Sequence, residues 1–265
     1  MTDLDASTLR TAYDNQLRPD VPDPVPDGVT VERDGPLTRI VGLDHRGFLT
    51  YRDLDGLTGA ELDALIVRQR DLFRGRGEAV EWKLHGHDEP ADLPARLRAA
   101  GFVPEEPETV VVGAVAPLAA AIPVIPEGVR LREVADRADL ERIAAMEAEV
   151  WGSDRSHLVD GLAREIATDP QALTVVVAEA GETVVSAGWV RYPPGTGFAT
   201  LWGGSTLPRW RRRGVYRALV THRARLAGQR DRALLQVDAS AQSRPILERL
   251  GFVPVTTTTP YVYTP

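Results

Sequence analysis

Residues 173–207 place the tightest limit on the fold. Three strand-like runs, 173–178, 184–192 and 199–207, follow one another with only Gly181 and the Pro193, Pro194, Gly195 turn between them. Breaks this short let consecutive strands pair as hairpins. A helical pattern at 212–227 and a strand at 233–237 come next. A helix between two strands returns the chain to a parallel neighbour. Three antiparallel strands followed by a strand–helix–strand unit predict an α/β fold of the α+β kind. Its sheet is mixed, mostly antiparallel and flanked by helices.

The flanking segments extend this pattern. A strand at 129–134 precedes a helix that starts at Asp136 or Asp139 and turns Leu140, Ile143, Ala144 and Met146 inward. Ser153 is placed to cap a second helix through 166, and a helix at 242–250 leads into a last extended segment, 253–262. In the first half, Ala6, Leu9 and Tyr13 share one face of a short helix within 1–16. Four prolines in 18–27 exclude a helix and make that stretch an extended connector. Short strands at 29–32, 38–41 and 47–51 follow. Thr58 and Glu61 have capping-box spacing at the head of a helix to about 73, which Gly75 and Gly77 stop. A strand at 80–84, a helix at 90–100 and a strand at 109–115 complete this half. Residues 116–127, rich in alanine and proline, mark the domain junction, either a linker or a strand crossing between domains, with an extended path in both readings. The expected domains are 1–118 and 119–265.

Composition narrows the function classes. The chain has 265 residues, room for two small domains. Its net charge of −7 argues against a nucleic-acid or membrane-surface role. The basic run 209–217 lacks an accompanying base-reading motif, so no nucleic-acid partner is expected. No window approaches the roughly 20 apolar residues of a membrane span. The polar N-terminus does not read as a signal peptide, so a cytoplasmic location and no membrane partner are expected. With no cysteine, thiolate metal sites and a cysteine nucleophile are excluded. His85 and His87 have only Asp88 as a further ligand and read as part of a turn, so no metal is expected.

The stretch 201–219 carries the chemistry. A strand ends at Gly204, Ser205 and Thr206, a turn holds Pro208 and Trp210, and a helix begins after Arg211, Arg212, Arg213 and Gly214. Helix N-termini leave amides unpaired and favour anions. Gly214 lets the backbone approach a ligand closely, and the arginines add positive charge. Arg211, Arg212, Arg213, Gly214, Val215 and Tyr216 resemble the coenzyme A motif of the GNAT acetyltransferase superfamily, Arg/Gln-x-x-Gly-x-Gly/Ala. Tyr216 departs from it, since Gly or Ala is usual there. Residues 234–252, a strand and then a helix closing on Leu250, Gly251 and Phe252, resemble the next segment of the same family. The first half echoes the second at a period of 150 residues, with Gly-Phe-Val-Pro at 101–104 and 251–254. It lacks the arginine–glycine turn and carries Asp53 and Asp55, which repel phosphate. It is therefore expected to be a degenerate GNAT-like domain that does not bind coenzyme A.

By this resemblance the second domain takes acetyl-CoA as co-substrate. Backbone amides of Arg212, Arg213, Gly214, Val215 and Tyr216 hold its pyrophosphate. Gly204, Ser205 and Thr206 pair with the pantetheine arm, and Ser240 stands where the family often has Asn. The partner is an amine on a small molecule or peptide. With no cysteine, direct transfer in a ternary complex is expected, by a monomer or homodimer. Asp238, Glu147 and Glu149 are candidate bases. The family's usual tyrosine acid is replaced by Leu247, leaving Tyr216, Tyr261, Tyr263 or water to protonate the thiolate. The alternative is an acyl-CoA-binding or sensing protein without transfer.

Overall fold

The computed structural model describes residues 5–19, 21, 23–43 and 46–265. In chain order the elements are α1 (Ala6–Gln16), β1 (Thr30–Asp34), β2 (Leu37–Val41), β3 (Gly47–Thr50), α2 (Gly59–Arg76), β4 (Val80–His85), α3 (Leu93–Ala99), β5 (Val103–Pro104) and β6 (Glu108–Ala114). They continue with α4 (Val115–Ala120), β7 (Val129–Val134), α5 (Arg137–Trp151), α6 (His157–Thr168), β8 (Leu173–Ala180), β9 (Thr183–Arg191), β10 (Phe198–Thr206), α7 (Val215–Gly228), β11 (Leu234–Ala239), α8 (Arg244–Arg249) and β12 (Val253–Tyr263). Part of the proline connector, Asp20 and Pro22, and the first four residues of the expected N-terminal helix lie outside the described residues.

The chain folds into two compact units. The first comprises the described residues up to Val111 with Asp238–Arg244 and Pro254–Pro265; the second comprises Val112–Val237 and Pro245–Val253. The last strand thus belongs to the first unit, although it is encoded at the end of the segment 119–265.

In the first unit, β1, β2 and β3 are antiparallel neighbours, β3 and β4 run parallel, and β12 lies antiparallel to β4. Leu62, Leu65, Ile66 and Phe73 on one face of α2 pack with Trp82, Leu97, Phe102 and Tyr261 into one core. α2 ends where Gly77 turns left-handed, φ 65°. Gly75 lies inside the helix instead of stopping it, and Thr58 makes no side-chain capping bond.

In the second unit, β7, β8, β9 and β10 are consecutive antiparallel neighbours, and β11 lies parallel to β10. Leu140, Ile143, Met146, Val159 and Leu162 of α5 and α6 meet Val175, Val177, Val185 and Trp189 of the sheet in its core. The two tandem halves therefore share a mixed, mostly antiparallel sheet design with flanking helices.

Two further expectations need correction. Residues 115–120 are helical where an extended junction was expected. Pro117 falls in the first turn, where a missing N–H costs nothing, and alanine favours the helix. Val115 and Ala119 of this helix meet the bare Gly228 of α7, where an added Cβ would stand 3.4 Å from each. The second helix of this half begins at His157, not after Ser153, because Asp154 first accepts from the backbone N–H of Ser156 (2.9 Å).

The repeat is visible down to its helix stops. α2, β4 and α3 are followed by Gly101 and Phe102; α7, β11 and α8 are followed by Gly251 and Phe252. Both glycines are left-handed, at φ 94° and 91°. Phe102 N–H donates to Leu97 (3.0 Å) and Phe252 N–H to Leu247 (3.1 Å), the same six-residue closure. Leu97 and Leu247 are both fully buried. Leu247 is thus a core and stop residue, which accounts for an aliphatic side chain there.

An ion-pair network joins β7, α5 and β8. Glu179, only 1% exposed, accepts from Arg130, Arg132 and Arg142, while Arg132 also grips Asp139 bidentately at 2.7 and 2.8 Å. Hydrogen bonds from Arg132 foremost, then Arg142, pull the Glu179 carboxyl down to about 2 against the opposing effect of burial. A depressed carboxylate stabilises the fold above its ordinary range and loses that contribution as pH falls through its folded value. Denaturation followed from the ordinary glutamate range down to about pH 2 is therefore expected to show falling stability, and Glu179→Gln to flatten that part of the curve.

Candidate active site

The second unit assembles a site around the end of β10. Phe198, Ala199 and Thr200 pair in parallel with Leu234, Leu235 and Gln236, whereas pairing with β9 continues to Thr206. Beyond Thr200 the register to β11 stops, so this edge of β10 is open in the unit. On the β9 side, a bulge falls between Gly203 and Ser205. Gly203 (φ 66°) and Gly204 (φ 89°) both take left-handed backbone. Space demands glycine as well. A Cβ on Gly203 would come 2.6 Å from Cζ3 of Trp189, and one on Gly204 would come 2.6 Å from Cε2 of Tyr216. Tyr216 thus turns its ring back against the bulge instead of into the turn that precedes α7.

The bulge shifts the side-chain alternation by one. Ser205 then lies opposite Ala187, and its hydroxyl reaches α5. Ser205 Oγ donates to Glu147 Oε2 at 2.8 Å, and Trp151 Nε1 donates to the same oxygen at 2.7 Å. Trp151 Nε1 also lies 3.0 Å from Ser205 Oγ. Glu147 is 4% exposed, and its other oxygen, Oε1, is buried without a hydrogen-bond partner. Burial raises the Glu147 carboxyl above its ordinary value, and the bonds from Ser205 and Trp151 offset part of that rise. A carboxylate held by one oxygen, with the other unanswered, can accept a proton or an ammonium group.

The turn before α7 gathers exposed arginines beside an uncapped helix start. After the 3-10 turn Pro208–Trp210, Arg211 Nε donates to the carbonyl of Thr206 (3.1 Å), and Arg213 lies over the Trp210 ring at 4.9 Å. Arg212 is left-handed at φ 59°. Gly214, φ 88°, precedes Val215, and no side chain caps α7. A Cβ at Gly214 would meet nothing within 4 Å, so the backbone angle requires glycine there and crowding does not. Arg211, Arg212, Arg213 and Gly214 are all exposed beside the uncapped amides and the positive end of the helix. Thr206 is tied into the sheet by Ser186, whose hydroxyl is 2.9 Å from Thr206 Oγ1 and donates to the Ser205 carbonyl at 2.7 Å.

Of the candidate residues, Glu147, Gly204, Ser205, Thr206 and Tyr216 gather at the bulge, and Arg211, Arg212, Arg213, Gly214 and Val215 form the turn. Asp238 and Ser240 belong to the first unit. Asp238 is ion-paired with Lys83. Burial works to lower the Lys83 ammonium, but Asp238 and then Tyr13 outweigh it and raise it. Nearby, burial and then Asp238 push the Glu108 carboxyl up to about 7. Ser240 Oγ accepts from the backbone of Ser243 (3.3 Å) ahead of α8.

Sequence reasoning missed Trp151 as a hydrogen-bond donor and Arg223 altogether. Arg223, 1% exposed on α7, donates through Nη1 to the carbonyls of Trp202 (2.9 Å) and Trp189 (3.1 Å), where the bulge opens the β9–β10 ladder. Burial lowers its guanidinium to about 10. The available signal was Gly188, a glycine inside a strand with no turn to make; a Cβ there would stand 2.7 Å from Arg223 Nη1. In the first unit, the two imidazoles have protein partners: His85 Nε2 lies 2.9 Å from Tyr13 Oη, and His87 bridges Asp14 (3.1 Å) and Thr256 (2.7 Å). No helix among the described residues is long and apolar enough to cross a membrane.

Residues 138–252 match the model of the acetyltransferase (GNAT) family. A search of curated proteins gives no match. Among solved structures, a GCN5-related N-acetyltransferase from Kribbella flavida is similar over 97% of this chain and 95% of its own, at 17% identity and a TM-score of 0.65. One from Sphaerobacter thermophilus covers 88% of this chain and 81% of its own, at 14% identity and a TM-score of 0.59. A tandem GNAT protein from the clavulanic acid biosynthesis pathway covers 90% and 84%, at 14% identity and a TM-score of 0.58. Residues 138–252 thus match the acetyltransferase (GNAT) family model, in a chain whose fold is similar along nearly its whole length to that of solved GNAT structures, one of them a tandem GNAT protein.

Proposed function

We propose that the protein transfers an acetyl group from acetyl-CoA to a primary amine of a small molecule or peptide, directly within a ternary complex. The carrying observation is Glu147: buried, raised in pKa, anchored by Ser205 and Trp151 at the bulge, with Oε1 unanswered. In this reading the pyrophosphate lies on the amides after Arg211, and the pantetheine arm follows the open edge of β10. Glu147 takes a proton from the ammonium group. The freed amine attacks the thioester carbon, the carbon–sulfur bond breaks, and the thiolate leaves, taking up directly or through water the proton that the new amide nitrogen sheds. With a thiol pKa near 8.5, the thiolate is a tolerable leaving group even without an acid. In this reading Tyr216, whose ring lies against Gly204, is the phenol that offers a proton. Glu147 is preferred over Asp238 as the base because the latter is already paired with Lys83. The segment 119–265 supplies the coenzyme site, and 1–118 is a degenerate copy that does not bind coenzyme.

A second reading, coenzyme binding without transfer, is favoured by one observation: Leu247 is committed to the core where the family's acid stands. Calorimetric titration with acetyl-CoA and an amine panel separates the two. Wild-type protein is expected to bind one acetyl-CoA per chain, and Gly214→Asp combined with Arg211→Glu to weaken that at least about a hundredfold, some 2.8 kcal/mol. Binding with no turnover on any amine favours the sensor. No binding at millimolar coenzyme overturns both.

A further inference from the structure

The loops that follow the parallel strands β3 and β4 in the first unit enclose a cleft of about 510 Å3. That end of parallel strands is where open α/β sheets hold ligands, and the volume suits a small metabolite. α1 and the turn after it, the 51–58 loop and the 87–90 loop form its walls.

The corresponding place in the second unit, after β10, carries three arginines. The cleft in the first unit has the opposite balance. Asp14, Asp53, Asp88 and Glu89 outnumber Arg18 and Arg52 along its lining. A diphosphate or any other polyanion would meet net repulsion. A purely cationic ligand is no better matched, because one cation in the wall is incompletely answered. Arg18 is 4% exposed; it donates to Asp88 at 2.6 Å and lies 3.2 Å from His87, yet its Nε has no acceptor. Leaving a buried guanidinium N–H unpaired is costly. On the acidic side, Asp14 is held by His87 at 3.1 Å while keeping its side chain 22% exposed, and Glu89 is exposed.

The floor is fixed in advance. Trp82 Nε1 donates to Tyr51 Oη (3.0 Å), which donates to Asp88 (2.5 Å), which holds Arg18. Burial would raise the Asp88 carboxyl, but the bond from His85 and then the Arg18 charge hold it down to about 2, so it stays ionised. Preorganised charges of both signs across a small cleft select a ligand that carries both.

We propose that this cleft binds a small zwitterion of the amino-acid class, its carboxylate toward Arg18 and Arg52 and its ammonium toward Asp14 and Glu89. The site is separate from the acyl-transfer site and does not depend on it.

The test is calorimetric titration of the full chain with each of the twenty standard L-amino acids, with inorganic phosphate beside them. At least one amino acid is expected to bind once per chain with a millimolar or tighter Kd, and phosphate not to compete. Asp14→Asn and Arg52→Gln are each expected to weaken it at least about tenfold, with the acetyl-CoA titration of the same variants unchanged as evidence that they fold. Glu147→Gln is expected to leave it intact. No amino acid binding at about 10 mM, competition by phosphate, or binding that survives both cleft substitutions would overturn the proposal. So would binding abolished by Glu147→Gln, since the amino acid would then be an acceptor in the second unit.

Discussion

Glu147→Gln is expected to lower kcat by about a hundred- to ten-thousandfold, the usual worth of a positioned general base. Gln keeps the shape and can still accept from Ser205 and Trp151, so the site stays assembled and KM for acetyl-CoA changes little. What is lost is the proton acceptor. Because burial raises the carboxyl, the acid limb of kcat/KM in the parent protein lies above the ordinary carboxylate range, and it vanishes in the variant. Stability moves the other way. A carboxyl whose folded pKa exceeds its unfolded value stabilises the fold when protonated and loses that contribution as pH rises through the folded value. Above its raised folded value the parent carries a buried, half-satisfied charge, and Glu147→Gln is therefore expected to raise Tm there while removing activity. Initial rates across pH, with thermal unfolding of both proteins, check this. An unchanged pH profile with reduced kcat would assign Glu147 to packing.

Arg223→Met is expected to damage the bulge. The carbonyls of Trp189 and Trp202 lose a buried donor, at about 1–3 kcal/mol each. Some of this returns, because a desolvated cation with no carboxylate against it is itself expensive to bury. The carbonyl loss wins, since methionine fills the volume and offers no donor. A net loss of about 2 kcal/mol follows, roughly 6 °C in Tm. The functional effect separates this from simple destabilisation: below the unfolding transition, acetyl-CoA affinity falls about tenfold as the open edge of β10 loses its shape. Arg223→Lys, which keeps one donor, restores part of both. Equal Tm loss with unchanged coenzyme affinity would make Arg223 a core residue only.

The parts of the fold set by local pattern were legible. The three hairpin strands, the helix after Gly214 and the matched glycine–phenylalanine stops are written as short-range periodicities and turn residues. α4 was not, because six residues with a proline read as linker unless one knows that Gly228 waits across from them. The proposed coenzyme turn, Arg211 to Tyr216, could be put forward from sequence, since the chemistry asked of it belongs to consecutive residues. The base could only be narrowed. Asp238 and Glu147 looked alike in sequence; what separates them is that one meets Lys83 and the other meets Ser205 and Trp151 from distant segments. Arg223 was silent for the same reason, as its partners are backbone carbonyls and carry no sequence signature.

The assignment of Pro254–Pro265 and Asp238–Arg244 to the first unit has a consequence for how the chain is made. Domains ordinarily close in the order in which the ribosome releases them, N-terminal first. Here the first unit lacks the strand that pairs with β4 along Thr258–Tyr263 until the strands of the second unit have been made. During translation the edge of β4 stays bare while the second unit is added, and it is sealed only by the strand that follows that unit. A stop codon or a proteolytic cut just ahead of β12 therefore injures the first unit, far upstream in sequence.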